Sequence, residues 1–355
     1  MSVDIVAGTD GGPGTRLLGR DLRVRRVLAE TPEAVSIEFD PAPGLEYQAG
    51  QFLTVRVPLP GKAGGAIGRS YSLSSSPDAD TAPKVTVKRV QGGRGSNWLC
   101  DNVSSGTVLR VLPPAGSFVL DPAGGASLFF AAGSGITPII SMLKSVLVRA
   151  EAPVLLFYAN RDRESVIFRR EIDELASRYS GRLTVIHWLT GERGRPSPGR
   201  LSTFIPQLAG DETAYICGPR PFTTITEEAL AAAGLPASRT RSEAFVSMTG
   251  DPFAVADLNA TEEEGAGTSV TVDLDGDVES FACPSASPIL DAMLAAGLDP
   301  PYSCREGTCG TCMAQLTSGE VEHGSSLALG PDEEAEGYIL PCQAFPRSVE
   351  ISVEF

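Results

Sequence analysis

The chain has 355 residues, a net charge of −15 and a hydrophobic fraction of 42%, enough for two or three domains with separate cores. No apolar run approaches the ~20 residues a membrane helix needs, and the acidic balance argues against nucleic acid as a partner, since phosphate contacts need a basic face. Only two histidines, His187 and His323, are present, which excludes a haem, a Rieske centre or a histidine-rich metal site in this chain.

The charge is uneven. Residues 268–355 carry 15 acidic residues against Arg305 and Arg347 alone, and residues 247–267 add five more acids and no base. The first 246 residues are therefore close to balance. Residues 1–20 show no charged-then-apolar signal layout. They are expected to form a disordered tail on a cytoplasmic protein.

From residue 21 to about 122 the pattern is short β-like runs, LRVRRVL, AVSIEF, FLTVRV, SYSLSS, KVTVKRV and TVLRVL, punctuated by PAPG and PLPGKAGG. That spacing predicts an antiparallel barrel or sandwich. In this block Arg69, Ser70, Tyr71, Ser72 and Leu73 form an R-x-Y-S-L string on a predicted strand. Alternation places Arg69 and Tyr71 on one face, where an aromatic ring and a guanidinium can meet a flavin and its pyrophosphate. Some twenty residues on, GGRGSNWL is a Gly-rich turn opening a helix near Ser96, whose first amides can hold a phosphate. Gly93, Gly95, Ser96 and Asn97 are the expected donors, with Trp98 beside them.

Between residues 123 and 247 strands alternate with helices. SLFFAA leads to a helix over 138–149, PVLLFYA to one near 167–180, and RLTVIHW and TAYIC to a last one near 222–233. Unbroken apolar strands predict a doubly wound α/β fold with a buried parallel sheet. AAGSGITP follows the first strand and resembles a dinucleotide loop with Pro138 in place of the third glycine. It brings forward Gly133, Gly135 and Thr137. Cys217, Gly218 and Pro219 end a later strand, where open sheets of this kind bind ligands. Asn160, Arg161 and Asp162 end the second strand, where a ribose would be read. Asp162 suits a 2′-hydroxyl, and Arg161 or Arg163 a 2′-phosphate.

Residues 248–267 are acidic and aperiodic and are expected to be a linker. From 268 to 355, TVDLDG and VESFA predict a hairpin, followed by a helix near 287–296 and strands near 313–317 and 349–353. Cys304, Cys309 and Cys312 have C-x4-C-x2-C spacing, with 29 residues between Cys312 and Cys342. This is plant-type 2Fe–2S spacing, and the small residues between the ligands let backbone N–H groups wrap the sulfurs. A zinc site repeats a C-x2-C pair instead. Cys100 and Cys283 fall outside the set and are expected to be small buried apolar residues.

These motifs, in this order, resemble the ferredoxin–NADP reductase superfamily arranged as FAD barrel, nicotinamide domain and C-terminal plant-type ferredoxin over residues 21–355. RSYSL, AAGSGITPI, YANRDRESVIF, YICGPRPF and SCREGTCGTC are most similar to reductase components of 3-ketosteroid 9α-hydroxylases, and after them to phenylacetyl-CoA oxygenase reductases. Ser70 departs from the bulkier or thiol residue expected there. The resemblance implies an α+β, β-grasp third domain. It implies FAD contacts at Arg69 to Ser72, Val87, Lys88 and Arg89, and pyrophosphate contacts at 95–97. Gly133, Gly135 and Thr137 would meet the nicotinamide nucleotide, with Cys217 to Pro219 beside its ring. Glu243 and Phe245, in an E-x-F ending, would lie near the flavin, with Ser72 and Glu243 managing the proton of hydride transfer. It further implies NADH as donor, a separate terminal oxygenase as acceptor, and a monomer. Glu306 and the run Asp332, Glu333, Glu334 and Glu336 are candidates for acceptor docking. A redox-sensing electron carrier and the reductase of another oxygenase are the competing expectations.

Overall fold

Alternating side chains in the first block wind into six antiparallel strands. The computed structural model describes residues 17–59, 65–121, 125–255 and 267–355. Its first strands are β1 (Arg20–Thr31), β2 (Ala34–Phe39), β3 (Phe52–Pro58), β4 (Ala66–Ser72), β5 (Lys84–Lys88) and β6 (Val108–Val111), in the order β4-β3-β6-β1-β2-β5. A bridge between Leu73 and Val85 joins the two edges and closes a barrel. Ile37, Leu53, Val55, Val57, Val85 and Val87 fill it. Helix α1 (Arg94–Asn102) lies against the barrel through Leu99 and Trp98.

The second block is a parallel sheet of β7 (Ser127–Ala132), β8 (Val154–Asn160), β9 (Leu183–Leu189), β10 (Thr213–Cys217) and β11 (Thr240–Glu243), ordered β11-β10-β7-β8-β9. Its helices are α2 (Ile136–Arg149), α3 (Arg169–Arg178), the short α4 (Thr190–Arg193) and α5 (Pro198–Ser202), and α6 (Arg220–Ala232). Successive residues serve two cores. Phe129, Leu156 and Tyr158 pack with α2 and α3, while Phe130, Leu155 and Phe157 pack with α5 and α6. That double burial is why these strands are apolar at every position. Lys144 of α2 joins this block to the barrel: its Nζ is 2.6 Å from Asp80, 2.8 Å from Glu171 and 3.1 Å from the Ser74 carbonyl.

The third block is a mixed sheet ordered β13-β12-β18-β14-β16. Its strands are β12 (Thr268–Leu274), β13 (Asp277–Cys283), β14 (Ala314–Ser318), β16 (Tyr338–Ile339) and β18 (Glu350–Glu354), with β15 (Val321–His323) paired to β17 (Ala344–Pro346) beside it. Helix α7 (Ile289–Ala295) covers the sheet through Ile289, Ala292 and Met293, and α8 (Pro331–Ala335) sits at its far end. Cys283 is buried in this core, and Cys100 packs against the barrel core. Among the described residues no helix is long and apolar enough to cross a membrane.

Two segments differ from the sequence expectation. Residues 17–20, assigned to the tail, are part of the fold: Leu17 bridges Ala254, the Leu18 N–H donates to the Phe253 carbonyl at 2.8 Å, and Arg20 opens β1. Residues 1–16 lie outside the described residues. The linker expected at 248–267 is, over 248–255, a packed strap; 256–266 lie outside the described residues. Met248 and Phe253 are buried and Asp251 pairs with Arg56 at 3.0 Å. Such a strap has no periodicity to detect, because each apolar anchor is buried singly.

Candidate functional site

The cysteines converge at the junction of barrel, strap and third block. Cys304, Cys309 and Cys312 lie on the loop between α7 and β14, and Cys342 lies on the turn before β17. Cys312 and Cys342 share a buried cluster with Leu112 of the barrel, Phe253 of the strap and Leu290 of α7. The thiols fall into two neighbouring pairs, Cys304 with Cys309 and Cys312 with Cys342. Among the described residues no three metal-ligating side chains converge on one ion position. Two irons, each held by two thiolates, suit such a paired arrangement.

The neighbouring Cys309 thiol lowers the Cys304 pKa against the opposing effect of burial. The N–H groups of Glu306 and Thr308, each 3.4 Å from Cys304 Sγ, act in the same direction. Thr311 Oγ1 is buried in this loop without a protein partner. A Cβ at Gly307 would lie 2.5 Å from the Ser325 carbonyl, and its φ of +68° also requires glycine. The loop thus fits a 2Fe–2S cluster: four thiols in two pairs, amides aimed at sulfur, and a spare hydroxyl.

Beside β4 is a cavity of about 230 Å3. Arg69, Ser70, Tyr71 and Ser72 line it from β4, and Gly93, Gly95 and Ser96 from the start of α1. A Cβ at Gly95 would lie 2.8 Å from Arg69 Cγ, so the glycine lets the helix N-terminus and the guanidinium meet. Amides, a helix N-terminus and Arg69 form a cradle for a pyrophosphate, and half-buried Tyr71 offers its ring beside it. Burial raises the Tyr71 phenol pKa, so it stays neutral. From β5, Lys88 and Thr86 face the cavity while Val87 points into the barrel core, leaving only its backbone for a cofactor. Arg89 is turned to Asp101 at 2.6 Å, and Asn97 caps the Val90 carbonyl at 3.2 Å. Trp98 packs on the barrel.

A second cavity, about 700 Å3, opens beyond the C-terminal ends of the parallel strands. Gly133 and Gly135, Asn160 and Arg161, and Gly218 and Pro219 line it from three strand ends. Thr137 lines the smaller cavity instead, its hydroxyl donating to the Ser134 carbonyl at 3.0 Å. A Cβ at Gly135 would fall 2.0 Å from the Cys217 carbonyl, so this glycine brings the dinucleotide-type loop against the Cys217 strand. Cys217 itself is fully buried behind the cavity wall, in register with Glu243 of β11. Burial pushes the Glu243 carboxyl up to about 8, and the Cys217 thiol is raised first by burial and then by Glu243.

The two cavities share Lys88, Ser134 and Phe245 in their walls, with Phe245 53% exposed between them. Asp162 is not part of either wall. It accepts from the Ser165 N–H and from Arg161 Nε, both at 2.9 Å. Arg195 and Arg220 line the larger cavity beside Arg161, and Arg94 and Thr86 the smaller one. None of these four was singled out from the sequence. Arg94 and Arg220 lie inside the quoted strings GGRGSNWL and YICGPRPF, each at the first position of a helix; Arg195 follows no local pattern.

The comparisons agree with this geometry. Family models match three successive stretches: an oxidoreductase FAD-binding domain at residues 23–120, an oxidoreductase NAD-binding domain at 129–228, and a 2Fe-2S iron-sulfur cluster binding domain at 272–347. The ferredoxin reductase component of 3-ketosteroid-9-alpha-monooxygenase from Rhodococcus rhodochrous is 45% identical over 94% of this chain and 96% of its own length. One component of the 1,2-phenylacetyl-CoA epoxidase of Escherichia coli K12 is 33% identical over 94% of this chain and 97% of its own. Among solved structures, phthalate dioxygenase reductase superposes with a TM-score of 0.55 at 26% identity, covering 96% of this chain and 98% of that one. An intact type IV self-sufficient cytochrome P450 monooxygenase gives a TM-score of 0.63 at 26% identity, covering 94% of this chain and 41% of that one. The chain belongs to the family of three-domain reductases, with FAD-binding, NAD-binding and 2Fe–2S domains in one polypeptide, that includes the ferredoxin reductase components of 3-ketosteroid-9-alpha-monooxygenases.

Proposed function

We propose that this reductase takes hydride from NADH and delivers single electrons to a separate terminal oxygenase acting on a 3-ketosteroid. The observation that carries the reading is the meeting of the two cavities at Lys88, Ser134 and Phe245, with the cysteine loop linked through Ser303 and Thr54 to Ser70 of the strand that lines the smaller one. When bound, FAD turns a hydride into two electrons and a 2Fe–2S cluster carries them singly.

In this reading the domains span 21–122, 123–247 and 268–355, joined through 248–267. Arg69 and the amides of 93–96 hold the FAD pyrophosphate, Tyr71 lies against the flavin, and Ser72 and Lys88 close the ring end. Gly133, Gly135, Asn160 and Arg161 orient the nicotinamide nucleotide. Phe245 stands where the nicotinamide would meet the flavin and must move aside for it. Glu243, whose carboxyl burial pushes up to about 8, lies one residue before the wall residues Ala244 and Phe245 and would supply a proton from there. Cys304, Cys309, Cys312 and Cys342 hold the cluster. The exposed run Asp332, Glu333, Glu334 and Glu336 gives the third domain an acidic end that steers a basic patch on the oxygenase, an effect salt suppresses. The protein acts as a cytoplasmic monomer.

The test is an anaerobic NADH titration followed in the visible region, with the steroid oxygenase added last. Flavin and cluster bands bleaching in turn, then reoxidising only with oxygenase, 3-ketosteroid and oxygen together, support the reading. A flavin that NADH does not reduce, or a colourless zinc protein, overturns it.

A further inference from the structure

Every residue flanking Cys304 is engaged inward. Ser303 is buried, and its hydroxyl is 2.7 Å from Thr54 Oγ1. Thr54 is itself buried on β3, and its Oγ1 lies 3.0 Å from the hydroxyl of Ser70, its register partner on β4. Three hydroxyls thus run from a residue at the smaller cavity to the residue preceding a cluster ligand. On the other flank, Glu306 Oε1 accepts three hydrogen bonds from the strap: the Thr249 N–H at 2.8 Å, the Thr249 hydroxyl at 2.7 Å and the Gly250 N–H at 2.9 Å. Arg305 donates to the Pro252 and Ala254 carbonyls of the strap and to Asp291 of α7.

The strap is in turn fixed to the flavin-side strand. The Gly68 N–H donates to the Gly250 carbonyl at 3.0 Å, and Arg69 Nη1 donates to the Met248 carbonyl at 2.7 Å. Arg56 pairs with Asp251 at 3.0 Å, and a Cβ at Gly68 would come within 2.5 Å of Pro252. Charge-assisted bonds of this kind are about twice as strong as neutral ones, and here three of them meet one half-buried oxygen. Glu306, an acceptor-docking candidate by sequence, is thereby committed to the protein's own backbone.

We propose that the strap 248–254 and the Ser70–Thr54–Ser303 hydroxyl chain form a clasp that holds the cluster loop against the flavin-side strand, making Glu306, Thr54 and Ser303 positioning residues for electron transfer between the two cofactor sites. The inference rests on the assignment of FAD and the 2Fe–2S cluster to those sites. Breaking the clasp leaves both sites intact and changes only how closely and how constantly they are held together.

The test uses the holoprotein as Thr54→Val, which keeps the side-chain shape and removes the central hydroxyl, and Glu306→Ala. Anaerobic stopped-flow with NADH separates bleaching at flavin and cluster wavelengths, and amide hydrogen exchange reads the clasp without turnover. Flavin bleaching should stay within about twofold of wild type, while cluster bleaching slows by about tenfold or more, as expected when reacting groups are displaced by an ångström or so. Exchange at 248–250 and 303–308 should rise. Thr54→Ser, which keeps the hydroxyl, should restore the wild-type rate, a rescue that mere loss of packing would not show. Should Glu306→Ala purify without its cluster, Thr54→Val carries the test alone, since it leaves the cysteine loop unchanged. Cluster bleaching at the wild-type rate with unchanged exchange overturns the clasp. So does a Glu306→Ala defect seen only with an external electron acceptor, which would return Glu306 to docking. A wild-type protein whose flavin or cluster does not respond to NADH defeats the cofactor assignment instead.

Discussion

Cys217 and Glu243 face each other as register partners at the ends of adjacent parallel strands, and Glu243 Oε2 is buried with no protein hydrogen-bond partner. The carboxyl titrates at about 8 because burial disfavours its charge, against an ordinary 4.5. The folded state therefore binds more protons than the unfolded chain between those two values. Stability from this group is full below the ordinary value and is lost as pH rises through 8. Glu243→Gln, which cannot ionise, should show a smaller fall in Tm between about pH 5 and 9 than wild type does. Parallel Tm profiles for the two proteins would show that Glu243 is not held neutral.

The close approach of Gly135 to the Cys217 carbonyl gives a second prediction. A methyl at Gly135 needs the strand end or the loop to move by more than an ångström, because its Cβ would sit 2.0 Å from that oxygen. Overpacking of this kind costs about 1–3 kcal/mol. Gly135→Ala should lower Tm and raise KM for NADH severalfold, with FAD retained. A variant whose KM equals that of wild type would mean that the loop does not touch the nucleotide.

Cys309→Ser separates the two cofactor sites. Cys309 is paired with Cys304, and its loss would leave one iron of the cluster with a single thiolate from its pair. The variant should lose the cluster absorption, keep stoichiometric FAD, and still bleach that flavin with NADH. Loss of FAD as well would show that cluster and flavin sites fold as one unit.

What was legible in the sequence was local chemistry. The C-x4-C-x2-C run, R-x-Y-S-L and the Gly-rich turns each keep their meaning within a dozen residues, and each sits at one of the sites. The double burial of β7 and β8 was legible for the same reason, since it writes an apolar residue at every position. Pairings made across the chain were not. Glu306 looks like a surface acid until the strap, some 57 residues earlier, is folded onto it. Asp162 sits where a ribose ligand is expected, yet its carboxylate closes its own turn through Ser165. Val87 follows the flavin-strand pattern but its parity sends the side chain inward, and Thr86 and Lys88 take the cavity.

Lys144 carries a stability prediction. It is 5% exposed and ties Asp80 and the Ser74 carbonyl of the barrel to Glu171 of α3. Lys144→Met keeps the stem but strips Asp80 of its ammonium and leaves Glu171 with Lys84 alone, 3.4 Å away. Those carboxylates are about 30% exposed, so the loss should be nearer ~2 kcal/mol than the full cost of an orphaned buried charge. Thermal release of FAD should shift down by several degrees, and NADH should still reduce the variant. An unchanged release temperature would mean that water replaces the ammonium at no cost.

Nucleotide choice gives the last prediction. Among the described residues the larger cavity is lined by Arg161, Arg195 and Arg220 and by no carboxylate, while Asp162 is tied to Ser165 and Arg161. Asp162→Ala should therefore leave the ratio of kcat/KM for NADH over NADPH within about twofold of wild type, since a contact that is not made cannot discriminate. Arg195→Ala removes a guanidinium from the wall. A charged hydrogen bond is worth about 1.5–3 kcal/mol, so KM should rise by about tenfold or more with kcat little changed. A collapse of the NADH:NADPH ratio in Asp162→Ala would place its carboxylate on the ribose and require the 162–165 turn to open when nucleotide binds.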